Sequence, residues 1–417
     1  MKKIFLILIL SSAASVLTSQ VVLTIEGTVI VDTETGTSLG VNIPRNSPTT
    51  FTYRNNSITS ASAFGYMLQA GDEIRGLNVN NLEGQVITGN MFIWNGTNPS
   101  ATNHALFTGY NNNAVIRCNY LLNTPSGIQR KSDGMTDVSG VVAYNIINNP
   151  KVGIVVKGMN GVRIFNNTLY SGRSTSETTR GLIDIHKNTD DGLDAKSTGV
   201  KIFNNIFYTR NRVFNIKIYE TECLENFESD YNVFWCEGGE PVFEVAGVTR
   251  TFTQWRAMGY DLHSVVVDPD FVDFDNFVPA TRLNYGTDLG DSFREGLSVN
   301  ATWGTSDPEA ATQNGAWQAG ARIYKATDPD PPDPERDDIA IYPNPTKGFF
   351  TVTVNDPLLT LHRIDIINMA GRLVFSDFVI QGIRGLEISD IINPGVYIVM
   401  VGAETKVPYV RKLVVVK

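Results

Sequence analysis

The sequence has few cysteines and few histidines, which excludes several classes of site. Cys118, Cys223 and Cys236 are too few for a disulfide framework, and no C-x-x-C pair suggests zinc. We expect that Cys223 and Cys236 can pair in an oxidising compartment, leaving Cys118 buried and free. The four histidines are scattered, and neither an H-E-x-x-H motif nor a nucleophile elbow is present. A zinc protease and a serine hydrolase are therefore disfavoured.

Charge is also scarce, at 18% of residues, and the balance is acidic, with a net charge of -9. Nucleic acid is therefore not expected as a partner, because proteins bind it through clustered Lys and Arg. Beyond residue 19, no stretch approaches the roughly 20 uninterrupted apolar residues of a membrane-spanning helix. We expect no membrane-spanning segment in the mature chain.

The first 19 residues have the pattern of a secretory signal peptide. Lys2 and Lys3 precede an apolar run over residues 4–10, and small residues follow up to Ser19. The pattern predicts export, with a mature chain that begins near Gln20.

A short strand pattern, V-x-x-(aromatic or Cys)-N, recurs along the chain. Asparagine suits such repeated corners, since it tolerates a left-handed backbone and can hydrogen-bond along a stack. A second set of strands, each ending in lysine, alternates with the first, and several strands per coil predict a solenoid with parallel pairing. The first set ends at Asn119, Asn145, Asn166, Asn204 and, more weakly, Asn232; the second ends at Lys131, Lys157, Lys187 and Lys217.

The alternation of side chains supports this repeat except in its first copy. Ile164 and Ile202 take the inward position in their strands. In the first copy Arg117 takes that position, so either this coil is shifted in register or the alignment is one residue off.

Composition then divides the chain. Residues 20–325 are expected to form the solenoid with its terminal caps, and residues 326–338 form an extended linker rich in Pro and Asp. Residues 339–417 show short strands with turn signals about every ten residues, which predicts a small antiparallel β-sandwich. The predicted fold class is all-β.

Three motifs in order mark residues 339–417: Ile341–Gly348 (IYPNPTKG), Ile366–Arg372 (IINMAGR) and Pro394–Val399 (PGVYIV). The segment closely resembles the type A C-terminal sorting domain of the type IX secretion system. The resemblance implies recognition by the type IX secretion machinery at the outer membrane. It also implies that the protein is released outside the cell or attached to its surface.

Residues 80–325 resemble secreted right-handed parallel β-helix repeat proteins, through the strands ending in asparagine and the closing segment. That fold hosts pectate and alginate lyases, polygalacturonases, adhesins and proteins of no known activity. The site must therefore be argued separately.

Residues 186–196 are the most suggestive segment. Asp190, Asp191 and Asp194 have a D-D-x-x-D spacing that resembles part of the calcium-binding run of family nine pectate lyases. The resemblance implies calcium at these aspartates and a role as general base for Lys217. That family has a further aspartate where this chain has asparagine, and the lysine spacing differs. A solvated turn is the structural alternative, because corners prefer Asp, Asn and Gly.

Basic residues nearby supply candidate contacts to a polyanion. Lys131, Lys157, Lys187 and Lys217 could form a row about one coil apart, in which the first three bind the substrate, although like charges so close need interleaved acids or an anionic ligand. Arg210 and Arg212 could hold a substrate carboxylate beside the base.

Three hypotheses follow from these residues. The leading one is an extracellular protein that binds an acidic polysaccharide along the solenoid. Its enzymatic form is a lyase acting by β-elimination, in preference to a glycoside hydrolase. The rival is a non-catalytic surface adhesin or structural protein. The sequence leaves open the glycan, the oligomeric state and whether cleavage occurs.

Overall fold

A computed structural model describes residues 21–32, 41–43, 49–61, 66–70, 82–83, 85–96, 103–109, 111–132, 139–174, 176–297, 310–313, 316–324, 339–354, 361–368, 372–378, 384–387, 392–403 and 409–416. The chain forms two compact units, Met1–Lys325 and Ala326–Lys417. The expected signal peptide (1–19) and linker (326–338) lie outside the described residues.

The first unit is built from three long sheets, and the chain visits each sheet in turn. Successive strands of each sheet pair in parallel, which is the arrangement of a parallel β-helix. The first sheet contains Val21–Glu26, Thr49–Arg54, Val86–Thr88, Ala114–Arg117, Gly140–Ala143, Val162–Phe165, Lys201–Phe203 and Glu228–Asp230. The second contains Val29–Asp32, Ser57–Ser60, Met91–Trp94, Tyr120–Leu122, Ile146–Asn148, Thr168–Ser171, Ile206–Thr209, Val233–Cys236 and Val265–Val266. The third contains Val41–Ile43, Tyr66–Ala70, His104–Gly109, Ser126–Lys131, Val152–Lys157, Glu177–His186, Val213–Ile218, Val242–Val245 and the antiparallel Val248–Thr251.

Smaller elements complete this unit. One α-helix, Phe252–Ala257, follows the last hairpin, and its Trp255 is fully buried and stacks on Phe243 at 4.7 Å between ring centroids. These rings extend the apolar core at the end of the coil stack. The remaining elements are two strand pairs, Leu82–Glu83 with Asn111–Asn112 and Glu295–Leu297 with Ala310–Thr312, and three 3-10 helices, Asp190–Gly192, Thr221–Leu224 and Asp291–Phe293.

The register of the first sheet resolves the ambiguity at Arg117. Ile116, not Arg117, aligns with Val142, and through it with Ile164, and all three are fully buried. The alignment by sequence was therefore one residue off in this coil. Arg117 aligns with Ala143, which faces away from the core.

The same offset relocates the repeated corner. Cys118, Tyr144, Asn166 and Asn204 occupy the left-handed position, with φ between 50° and 57°. The residue after each is a buried asparagine, and these asparagines form a ladder from coil to coil. The ladder consists of Asn56, Asn90, Asn119, Asn145, Asn167, Asn205 and Asn232.

The cysteines do not form the expected disulfide. Cys223 and Cys236 are both buried and are not joined in a disulfide, and Cys118 is buried as well. The expectation of a Cys223–Cys236 bond was therefore wrong. Cys223 lies in the 3-10 helix after the third sheet, whereas Cys236 ends a strand of the second.

The second unit has two antiparallel sheets and its own core, which includes Phe350, Ile366 and Val399. The all-β prediction is thus confirmed for both units. No helix among the described residues is long and apolar enough to span a membrane. The sheets are Ile339–Tyr342, Phe349–Val354 and Arg384–Glu387, and Leu361–Asn368, Leu373–Phe378, Gly395–Ala403 and Tyr409–Val415.

Candidate functional site on the outer face of the third sheet

Two rows of polar side chains run across the outer face of the third sheet. In one row, Lys131 aligns with Lys157, and Lys157 aligns with His186. In the adjacent row, Asp184 aligns with Lys217, and Lys217 with Glu244. Ile185, between Asp184 and His186, is fully buried in the core. Because side chains alternate along a strand, Asp184 and His186 point to the opposite, outer face, and so do the rows to which they belong.

The register separates the four lysines that were expected to form one row. Only Lys131 and Lys157 share a row, because His186 takes the next position. Lys187 lies just beyond the strand, where its Nζ is 2.7 Å from Glu222 and 3.3 Å from Asp194. A continuous lysine row is therefore a misreading of the register.

Asp190 supplies the acid that a pair of stacked lysines requires. Its carboxylate accepts hydrogen bonds from Lys157 Nζ at 2.8 and 2.9 Å, and Lys131 Nζ lies 3.0 Å away. The Lys157 hydrogen bond, with a further contribution from Lys131, holds the pKa of Asp190 below its usual value. The segment after the strand is thereby tied down onto the sheet.

This arrangement does not fit calcium binding as the sequence pattern implied. Asp190 is engaged by two lysines and Asp194 by Lys187, so the two carboxylates are directed at different cations. The side chain of Asp191 lies outside the described part of the structure. Among the described residues no group of three or more His, Cys, Asp or Glu could hold a metal ion.

The centre of the outer face is Asp184, which is fully buried although it points away from the core. Its Oδ1 accepts a hydrogen bond from the Gly181 amide at 2.8 Å. Its Oδ2 accepts from Arg180 at 3.3 Å and from the Tyr219 hydroxyl at 3.2 Å, and His186 Nε2 lies 3.8 Å away. A buried carboxylate needs such partners to offset its lost hydration.

Glycine at position 181 permits this approach. A Cβ there would lie 2.9 Å from the Ile183 carbonyl oxygen and 3.0 Å from Asp184 Oδ1. The register also shifts between Glu177 and Gly181, so the strand bends where it delivers Arg180. A larger residue at 181 would displace the carboxylate or the backbone.

The remaining cluster members pack around Tyr219. The His186 ring stacks on the Tyr219 ring at 3.8 Å between centroids, and Lys217 Nζ lies 4.6 Å from the centroid of that ring. Lys217 Nζ is also 2.7 Å from Glu244. Burial and the adjacent Asp184 raise the pKa of Tyr219, so its hydroxyl remains a proton donor at neutral pH.

Arg210 and Arg212 lie apart from Lys217. They precede the strand Val213–Ile218, whereas Lys217 is near its end, about 16 Å beyond Arg212 at ~3.3 Å per residue. Arg210 lies 3.8 Å from Glu237 and 5.5 Å from the ring centroid of Phe274, and Arg212 is exposed. The arginine that lies in the same cluster as Lys217 is Arg180, since both contact Tyr219.

Sequence reasoning missed Arg180, Asp184, His186, Tyr219 and Glu244 as members of one cluster. A local signal was present, because Asp184 and His186 alternate with buried isoleucines in a single strand. Tyr219 and Glu244 belong to later coils, and no local pattern connects them with Asp184.

Comparison with known families identifies the second unit. Residues 340–416 match the family model described as a secretion system C-terminal sorting domain. The chain carries a type IX sorting domain. The sorting domain implies interaction with the type IX secretion machinery, and the protein is secreted across the outer membrane, to be released or held at the cell surface. No curated protein matches the chain at a significant level.

Proposed function

We propose that the first unit binds an acidic polysaccharide at the outer face of its third sheet and cleaves it by β-elimination. The main support for this proposal is the cluster around Asp184. Its fully buried carboxylate accepts hydrogen bonds from Arg180 and Tyr219 and lies beside His186. Outward side chains of a solenoid sheet normally need no such network, because water satisfies them. Groups held in this way are pre-organised for a ligand.

The cluster contains the groups that β-elimination of a uronate polymer requires. Arg180 and Lys217 supply positive charge for the substrate carboxylate, which must be neutralised to acidify the adjacent C–H. His186 accepts the proton from the carbon next to the carboxylate. As the new C=C bond forms and the glycosidic C–O bond breaks, Tyr219 donates its proton to the leaving oxygen.

Asp184 acts in this scheme as a positioning residue. Its two oxygens fix Arg180 and the Tyr219 hydroxyl, and its Oδ2 lies 3.8 Å from His186 Nε2. Lys217 is oriented in the same way by Glu244.

The test is to incubate the mature full-length chain with a panel of uronate polymers and follow the ultraviolet absorbance of the unsaturated product. We expect a steady rise that Tyr219→Phe and His186→Gln reduce by about 10²–10⁴-fold, the range for general acid–base groups. Lys201→Gln is the matched control, because Lys201 is an exposed lysine of the first sheet. Equal rates for all variants, or no product from any polymer, would refute cleavage at this cluster.

A non-catalytic adhesin is the second candidate. It is favoured by the pairing of charges on and beside the outer face of the third sheet. The Nζ atoms of Lys157, Lys187 and Lys217 each lie 2.9 Å or less from a carboxylate oxygen of the protein itself. Binding of a polymer in a pull-down assay without any product would support this candidate instead.

A further inference from the structure

A groove lies at a different place on the first unit, along the corner where the coils pass from the second sheet to the third. It encloses about 610 Å³, within the range of ligand pockets. Its lining comes from equivalent corners of successive coils: Trp94, Asn95 and Gly96; Asn123 and Pro125; Asn149 and Lys151; and Arg173. Coils in register are about 4.8 Å apart, so four of them give a groove of roughly 15 Å.

The coil repeat builds this groove from backbone turns. Asn123 and Asn149 both adopt left-handed conformations, with φ of 55° and 59°. The backbone N–H of Asn123 donates to the Asn148 carbonyl at 2.8 Å, and that of Asn149 donates to the Tyr170 carbonyl at 2.7 Å. Asparagine side chains are thereby presented at the same corner, one coil apart.

The pair formed by Asn123 and Asn149 contains one hydrogen-bond acceptor that has no donor. Asn149 Nδ2 donates to Asn123 Oδ1 at 3.0 Å. Asn149 Oδ1 is buried and has no hydrogen-bond partner. A buried carbonyl oxygen without a donor is costly, and a ligand hydroxyl in the groove would satisfy it.

The groove is cationic. Lys151 and Arg173 line it, and none of the eight described residues that line it is acidic. The Arg173 guanidinium donates to the Pro150 carbonyl at 2.5 Å, which fixes it at the groove wall. A guanidinium has five N–H donors, so the same group can still bind a carboxylate or sulfate.

An indole forms one end of the groove. Trp94 lies against Gly96, where an added Cβ would be 2.4 Å from the indole ring. Glycine at position 96 therefore leaves room for the indole ring of Trp94 to pack against the backbone. Trp94 itself is almost fully buried in the core, so the groups available to a ligand are amides and cations, which together suit a charged sugar.

From these observations we infer that the corner groove is a binding site for an anionic oligosaccharide. Lys151 and Arg173 bind its acidic groups, and Asn149 accepts a hydrogen bond from a sugar hydroxyl. This inference does not depend on the Asp184 cluster or on cleavage. Carboxylate and sulfate share this chemistry, and the experiment separates them.

The experiment is calorimetric titration of the mature full-length chain with three oligosaccharides of matched length: a uronate, a sulfated and a neutral one. We expect binding of at least one anionic oligosaccharide and none of the neutral one. Lys151→Gln and Arg173→Gln should each weaken binding by about 10- to 150-fold, since a charged hydrogen bond contributes about 1.5–3 kcal/mol. Asn149→Ala tests the unpaired acceptor with a smaller loss of affinity.

One control makes the result decisive. Lys201→Gln, a charge-matched change on the first sheet, should leave affinity unchanged. If all variants bind as the native chain does, or no anionic oligosaccharide binds, the inference is wrong. Binding that depends on Lys151 and Arg173 in a protein without lyase activity would support the groove while refuting the proposed cleavage.

Discussion

The asparagine ladder of the first unit should carry a large share of its stability. At Asn167, the side-chain Oδ1 accepts from the backbone N–H of Asn145 at 3.0 Å and from its Nδ2 at 2.9 Å. The Asn167 Nδ2 donates to the carbonyls of Val142 and Phe165 and to Asn205 Oδ1, at 2.9 to 3.1 Å. Asn167 is fully buried, so water cannot replace these partners. Asn167→Ala removes all of them at once.

The magnitude follows from the groups left without a partner. Asn145 Nδ2 keeps its hydrogen bond to the Ile116 carbonyl, and Asn205 Oδ1 keeps the one from the Asn167 backbone. The Asn145 backbone N–H and the Val142 carbonyl lose the ladder contact. At about 1–3 kcal/mol for each buried unsatisfied group, the substitution should lower the free energy of unfolding by about 2–6 kcal/mol.

The assay is urea unfolding of the mature chain followed by far-ultraviolet circular dichroism. Asn226→Gly is the control, because Asn226 is exposed and has a φ of 54° that glycine adopts without strain. It should change stability by less than about 0.5 kcal/mol. Equal unfolding midpoints for Asn167→Ala and the control would refute the view that the amide ladder stabilises the coils.

Three further predictions concern the site and the sorting domain. Asp190→Asn should destabilise the protein at neutral pH by less than about 1 kcal/mol, because the carboxylate is partly exposed. Folding lowers the pKa of Asp190, so its contribution to the free energy of unfolding is present above the pKa that it has in the unfolded chain. Thermal unfolding at decreasing pH should show this contribution being lost as the pH falls through the pKa that Asp190 has in the folded protein. Calcium should not raise the melting temperature, because it would have to displace Lys157 and Lys131 from Asp190. A calcium-dependent rise in melting temperature that Asp190→Asn abolishes would instead support the calcium hypothesis. Deletion of residues 339–417 should leave the first unit inside the outer membrane, as cell fractionation would show, and its appearance in the medium would contradict export through the sorting domain.

Much of the architecture was predictable because its signals are local. The left-handed corners and the alternation around Ile164 and Ile202 are set by short stretches of chain, so they predicted stacked parallel coils. The motifs of residues 339–417 likewise identified the sorting domain, which the family comparison confirms. The Pro- and Asp-rich boundary is also readable from composition alone.

Register was the first feature that the tertiary structure had to decide. The left-handed corner accepts Cys118, Tyr144 or Asn166, while the ladder position after it is asparagine in each coil. Where two asparagines follow one another, as at Asn166 and Asn167, either residue fits the pattern. Only the pairing of Ile164 with the buried Val142 selects between them.

The candidate site depended on the same register. The sequence by itself determined a secreted, coiled all-β chain with a sorting domain and a set of plausible charged residues. It could not show that Asp184, Tyr219 and Glu244 meet, because they lie on three successive coils and come together only through strand pairing. A shift of one residue reverses which side chains face outward. The pairing therefore decided that Asp190 binds lysines, and that the outer face is centred on Asp184.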